Sequence, residues 1–281
     1  MSLTTKISYL RKAETVKKRV ISAIVLLAIV CVCIFVSDIT RELLIFAAAV
    51  IAAFEMRNCV VNAGGKAVVF PPVLFMTVNT VLCLIKAPLW TLAAAFIGSA
   101  MLSICICVCR EDLMAAGAKG TLFVLMYPMA LFAAIQRILA ADNWLYPTAV
   151  AALATWSCDS FALFGGRRFG KTKLSPLVSP NKTVEGSLCG AAASAAFGVL
   201  AWALLRNFGA ELWVCVTVAL VSSTMGQFGD LAASLFKREA GIKDYSDLIP
   251  GHGGMMDRAD SLLFSIPTAW FFIELIELIR N

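Results

Sequence analysis

Histidine is nearly absent from this chain: His252 is the only one among 281 residues. That excludes a multi-histidine zinc site, which needs several imidazoles. Charge is sparse as well, at 15% of residues, where soluble domains carry about 25%. The 10 cysteines include no Cys-x-x-Cys pair, which removes the usual zinc-ribbon and redox spacings. They sit inside apolar runs, as Cys31 and Cys33 do, or Cys105, Cys107 and Cys109. There they read as small apolar residues. No internal repeat of the kind common in transporters is visible.

What the chain has in excess is apolar surface. Hydrophobic residues make up 60% of it and the mean hydropathy is +0.85, against about 45–50% apolar residues in soluble proteins. One core cannot hide that much, so a lipid-facing surface is implied. Nine runs approach the roughly 20 residues that a helix needs to cross the hydrocarbon. They lie near 20–36, 42–56, 67–85, 87–108, 120–139, 145–164, 187–205, 211–235 and 261–279. The expected fold is an all-α polytopic integral membrane protein with about nine transmembrane helices. Pro71 and Pro72 should make the third run begin late or kink. The basic stretch before Val20 reads as the start of a retained signal anchor. The chain divides into a basic N-terminal segment, 1–19, a first set of transmembrane helices, 20–140, and a C-terminal transmembrane catalytic region, 141–281.

Charge orients these runs. With the N-terminus inside and sides alternating, the inner segments hold 19 lysines and arginines and the outer segments hold five. The outer five are Arg41, Lys86, Arg137, Arg206 and Arg280. This is the positive-inside pattern. The net charge of +6 is therefore gathered on one membrane face, where anionic lipid and nucleotide phosphates are attracted.

Polar residues cluster in two places, both on that face. The first spans Asp159 to Gly186. Glycines 165, 166 and 170 would allow a ligand close to the backbone. Arg167, Arg168, Lys171 and Lys182 offer charge-assisted bonds to phosphate. A positive-inside loop with turn glycines accounts for the same residues, and the segment is read as something other than a Walker phosphate loop. Thr183 can cap the seventh helix, whose free N–H groups favour an anion. Asp159 lies inside the sixth run, where a carboxylate is costly. It should face a cavity, a cation or a basic partner, unless it stays wet near the interface.

The second cluster spans Gly226 to Ser261. Asp230 closes one apolar run; Asp257 and Asp260 open the next. The latter two are three apart, hence on one helix face, at an N-terminus that favours carboxylates. Capping explains one of them but not three meeting a Gly-His-Gly-Gly turn. An all-oxygen site of this kind suits Mg²⁺. His252 is either a turn residue or a donor to a phosphate oxygen.

The string Ser234-x-x-Lys237-Arg238-x(4)-Lys243-Asp244-x(5)-Pro250-Gly-His252-Gly253-Gly254-x-x-Asp257-Arg258-x-Asp260-Ser261 resembles the signature of CDP-diacylglycerol synthases, the phosphatidate cytidylyltransferases. Gly229-Asp230-Leu and Ser179-Pro-x-Lys182-Thr183-x-Glu185-Gly186 are similar to that family too. The match covers roughly the C-terminal 125 residues; the first 140 share only apolar spans. Three positions depart from the family pattern: Leu163 stands at a common Tyr, Asn181 at a second Lys and Val184 at a common Trp.

The resemblance implies a membrane-embedded helical enzyme making CDP-diacylglycerol and pyrophosphate from CTP and phosphatidate with Mg²⁺. It maps metal-binding carboxylates onto Asp230 and Asp257, with Asp260 nearby. Asp230, Asp257, Asp260, Arg258, Lys237 and Arg238 are the expected catalytic set, with Asp230 and Asp257 needed for chemistry rather than for folding. Asp159, Ser179, Lys182, Thr183, Glu185, Lys243, Asp244, His252, Gly253 and Gly254 are the expected substrate contacts. The expected location is the inner (plasma) membrane, multi-pass, with the N-terminus and both polar segments cytoplasmic. The expected partners are CTP, phosphatidate and membrane lipid, without nucleic acid; a homodimer is left open. Two rival functions remain: a CTP-dependent polyprenol kinase, and a cation or metabolite transporter using the same carboxylates.

Overall fold

The computed structural model describes residues 28–208, 210–248 and 253–280. The expected basic segment and residues 20–27 of the first span lie outside the described residues. The part of helix α1 that is described covers residues 28–36. Ser37 ends it and starts α2, Asp38–Asn62, through a capping box in which Ser37 and Thr40 satisfy each other's backbone N–H. Helix α2 runs well past the expected 42–56. Arg41, Glu42, Glu55 and Arg57 interrupt its hydropathy but not its hydrogen bonding, and three of the four are buried.

Helix α3, Phe70–Leu84, starts with Pro71 and Pro72 in its first turn. No helical N–H is needed there, so the prolines set the late start expected of them. Its 15 residues reach about 22 Å, short of the ~30 Å hydrocarbon thickness. Helix α4 is Trp90–Cys109. Helix α5, Met114–Val124, passes through a widened turn, Leu125–Met129, into α6, Ala130–Leu139. Pro128 lies in that turn and cannot donate to the helical ladder, which breaks the rod there.

In the C-terminal half, α7 is Leu145–Phe169, followed by a small antiparallel hairpin of β1, Lys173–Ser175, and β2, Ser179–Thr183. Helix α8, Val184–Leu205, begins at the Thr183 cap as expected, with Gly186 N donating to Thr183 Oγ1 at 3.2 Å. Helices α9, Leu212–Glu239, and α10, Met256–Arg280, complete the fold. Six rods are long and apolar enough to cross a membrane: α2, α4, α5–α6, α8, α9 and α10. Helix α3 is too short and α7 too polar to count among them. Among the described residues, eight rods thus correspond to the second to ninth expected spans, in an all-α polytopic membrane protein.

Helices α7 to α10 pack chiefly on one another, and α10 also leans on α6 and α2. Glycine makes the tightest of these contacts. Gly165 of α7 and Gly190 of α8 have no room for a Cβ, because Cys189 and the Cys158 carbonyl occupy the space. In the first half, buried Gln136 donates to the Glu42 carbonyl at 3.1 Å and to Thr80 at 2.9 Å, and it accepts from Asn79 at 2.8 Å. Such interhelical bonds contribute roughly 0.6–2 kcal/mol each in lipid. Aromatic rings join the halves: Tyr127 and Phe236 lie 5.2 Å apart, Phe123 and Phe236 4.8 Å.

Polar contacts between distant segments respect the alternation of sides read from the charges. At one end Lys66 meets the Asp112 carbonyl, Lys182 meets Asp230, and Ser246 meets Glu55. At the other, Lys86 meets Asp142, Arg137 meets Thr91, and Arg280 meets Glu211.

Candidate active site

Three helices cross where the polar residues gather. Gly226 of α9 lies 3.3 Å, at the position a Cβ would take, from Thr155 of α7 and 3.4 Å from the Ser261 carbonyl of α10. One turn further, Gly229 abuts the Asp260 carbonyl so closely that a side chain has no space. Asp159 follows Thr155 by four residues and Asp230 follows Gly226 by four, which puts each on the same helix face one turn on. The crossing therefore sets Asp159, Asp230 and Asp260, of α7, α9 and α10, at one level of the bundle. Asp159 and Asp260 both lie in the field of Asp230, and Asp159 is exposed at the crossing.

The hairpin supplies the cation. Lys182 on β2 places Nζ 2.5 Å from Asp230 Oδ2. The side chains are 27% and 30% exposed, so this pair is open to a ligand. Arg238 holds the hairpin down, its Nε donating to the Val178 carbonyl at 3.4 Å. Glu185, in the first turn of α8, accepts from the backbone N–H groups of Lys171 and Thr172 at 3.0 and 3.1 Å. It fixes the loop that leads into the hairpin, and Thr183 caps α8. Ser179 is partly buried; Lys243, Asp244 and Arg258 are exposed.

Asp257 has a different setting. It is buried, and three donors share its two oxygens: Lys237 Nζ at 2.6 Å, Tyr245 N at 2.8 Å and Gly254 N at 3.0 Å. It ties α9, the connecting segment and the start of α10 into one unit. Its carboxylate therefore has a folding task beside any chemical one, which corrects the expectation that it is dispensable for folding. Gly253 adopts φ +82°, and a Cβ there would press on Asp257 Oδ2 at 2.8 Å. That close approach is why glycine stands at this turn. His252 lies outside the described residues.

The glycines of the first polar segment need a correction. Gly165 and Gly166 are helical residues packed on α8, not a ligand loop. Gly165-x(4)-Gly170-Lys171-Thr172 does carry the spacing of a Walker loop. Its first five residues, however, are the last turns of α7, and a hairpin follows. A Walker loop needs a strand before it and a helix N-terminus after it, so the backbone excludes one.

Glu55 was missed from the sequence. It is a buried acid on α2 that binds Ser246, Met255 and Met256. The signal was available: a lone carboxylate in Ala-Ala-Phe-Glu-Met demands a partner inside an apolar run. Tyr245, whose ring lies against Lys237 at 5.4 Å, gave no comparable signal.

Among the described residues, no three carboxylate, cysteine or histidine groups converge as a complete metal cage. The donors nearest to one are all oxygens. Asp260 Oδ1 takes the Ser261 N–H at 2.7 Å, and Asp230 Oδ2 already attracts an ammonium. Mg²⁺ typically binds one or two carboxylates and completes its shell with water and substrate phosphate, so this donor set fits it.

A bundle of long apolar helices with carboxylates and lysines collected at one end is a polytopic membrane protein. Residues 17–276 match the cytidylyltransferase family, and the chain belongs to that family. It is 43% identical over 117 residues to a phosphatidate cytidylyltransferase of Staphylococcus saprophyticus, a stretch that covers 42% of this chain and 45% of that protein. It is 39% identical over 153 residues to a phosphatidate cytidylyltransferase of Synechocystis, covering 50% of each chain. The aligned stretches thus span about half the length of these curated relatives.

Proposed function

We propose that this protein is a phosphatidate cytidylyltransferase of the inner (plasma) membrane, with its N-terminus and site on the cytoplasmic face. The observation that carries this reading is the open Lys182–Asp230 pair, with Asp159 and Asp260 on the two helices that pack against α9, in a chain that belongs to the cytidylyltransferase family. A phosphate oxygen of phosphatidate attacks the α-phosphorus of CTP. The new P–O bond forms as the α–β bridging bond breaks, and pyrophosphate leaves in line. The nucleophile is already ionised near neutral pH, so no general base is needed. What the protein supplies is position and charge.

Lys182, Arg238, Lys243 and Arg258 serve as phosphate contacts on this reading. Asp230 and Asp260 present carboxylate oxygens to the ligand, while Asp257 and Lys237 hold the start of α10 behind them. Mg²⁺ bound at these carboxylates would neutralise charge on the phosphates. All these groups come from one chain, so a homodimer is compatible but not required.

The test is purified protein with phosphatidate in detergent and CTP labelled in its α-phosphate. Label in a CDP-lipid, with pyrophosphate released, supports the reading. CDP together with a newly phosphorylated lipid would mean a kinase instead. Flux across proteoliposomes without CTP consumption would mean a transporter.

A further inference from the structure

The start of α10 carries Asp257, Arg258 and Asp260, yet α10 does not seat itself. The first N–H groups of a helix have no partner within the helix. Here two carboxylates divide them. Asp257, from the helix itself, takes Gly254 N at 3.0 Å. Glu55, which is 200 residues away on α2, takes Met255 N on Oε1 at 2.9 Å and Met256 N on Oε2 at 2.8 Å. Ser246 Oγ adds a third bond to Oε1 at 2.6 Å. Glu55 is only 5% exposed and forms no ion pair with lysine or arginine among the described residues. Its charge is held by N–H and O–H donors and by the positive end of α10.

The fit is close on both sides. A Cβ on Gly254 would run into the Glu55 carboxylate. One turn further along α2, the Cys59 thiol reaches the Phe236 carbonyl of α9 at 3.4 Å. Helix α2 thus touches α9 and α10, two of the three helices that carry the candidate carboxylates.

We infer that Glu55 is a positioning residue of the transfer site: the N-terminal half of the chain sets the place of Asp257, Arg258 and Asp260 through this one side chain. Its catalytic part rests on the cytidylyltransferase reading above. A carboxylate with three bonds at a helix start sets both the height and the rotation of the first turn. Phosphoryl chemistry tolerates little displacement of the groups that meet the phosphates. Glu55→Gln keeps the size of the side chain but turns an N–H₂ toward one of the donors.

The experiment uses the full chain in detergent. Hydrogen–deuterium exchange at Met255 and Met256, measured without substrates, should speed up in Glu55→Gln. Turnover should fall by about 10- to 100-fold, with the KM for CTP within about twofold of wild type. Ser246→Ala removes one donor of the three and leaves the helix N–H bonds in place. It should lose less turnover, and the double variant should be no slower than Glu55→Gln alone. Unchanged exchange at 255–256 would overturn the inference. So would losses that multiply in the double variant, or a fall in turnover that only tracks a lower melting temperature. If wild-type protein makes no CDP-lipid, the proposed function fails, while the exchange result still decides whether Glu55 seats α10.

Discussion

Lys237 holds Asp257 across the α9–α10 junction, Nζ to Oδ1 2.6 Å, with the two side chains only 11% and 4% exposed. The Lys182–Asp230 pair is as short but far more open. Closure separates their roles. Removing one partner of a buried pair leaves a charge with nothing to balance it, which typically costs about 3–5 kcal/mol. Asp257→Asn should therefore lower the melting temperature in detergent markedly, as well as slow the enzyme. A variant as stable as wild type would show that the pair is not structural.

Asp230→Asn and Asp260→Asn should behave differently. Both residues sit at the open crossing, so both variants should extract and run as monodisperse protein. Activity should drop by about 100-fold or more in each, since the lost term is charge stabilisation in the transition state. The double variant should be about as slow as the worse single one. A chelator should abolish wild-type activity and added Mg²⁺ should restore it. Near-normal turnover of Asp230→Asn at saturating Mg²⁺ would remove Asp230 from the site.

The helix crossing predicts a contrast between two glycines. Gly229 faces the Asp260 carbonyl with no space for a methyl group, whereas Gly98 on α4 has nothing near its Cβ position. Gly229→Ala should cost about 1–3 kcal/mol, because backbone must move to admit it. Gly98→Ala should be neutral or mildly stabilising, since alanine is the better helix former. Thermal unfolding of the two variants side by side checks this.

Topology is testable by labelling. Single cysteines at Lys173 and Asp247, both exposed, should react only with reagent that reaches the cytoplasmic side. A cysteine at Asp142, exposed at the other end of the bundle, should react from outside intact cells. The background should lack the native cysteines. Labelling of 173 and 142 from the same side would break the alternation.

Much of this protein was legible in its sequence because lipid imposes a coarse rule. Long apolar runs must be helices, and basic residues must gather on one side. That rule located the rods from α2 to α10, while capping and proline chemistry located the Thr183 cap and the late start of α3. It misplaced the ends of α2, where buried Arg41, Glu42 and Glu55 look like a break in hydropathy but are satisfied inside the fold. It also read Gly165 and Gly166 as a ligand loop, since a packing glycine and a loop glycine are the same letter.

The sequence by itself determined that Asp159, Asp230, Asp257 and Asp260 lie toward one face, because each falls near that end of an apolar run. Only the tertiary structure decided which of them remains open. Asp257 is closed off by Lys237, Tyr245 and Gly254, whereas the backbone of Asp260 is packed against Gly229 of α9. Glu55 owes its place to a partner 200 residues away. Periodicity and spacing describe neighbours along the chain, whereas the donors that claim a buried carboxylate come from whichever helices pack beside it.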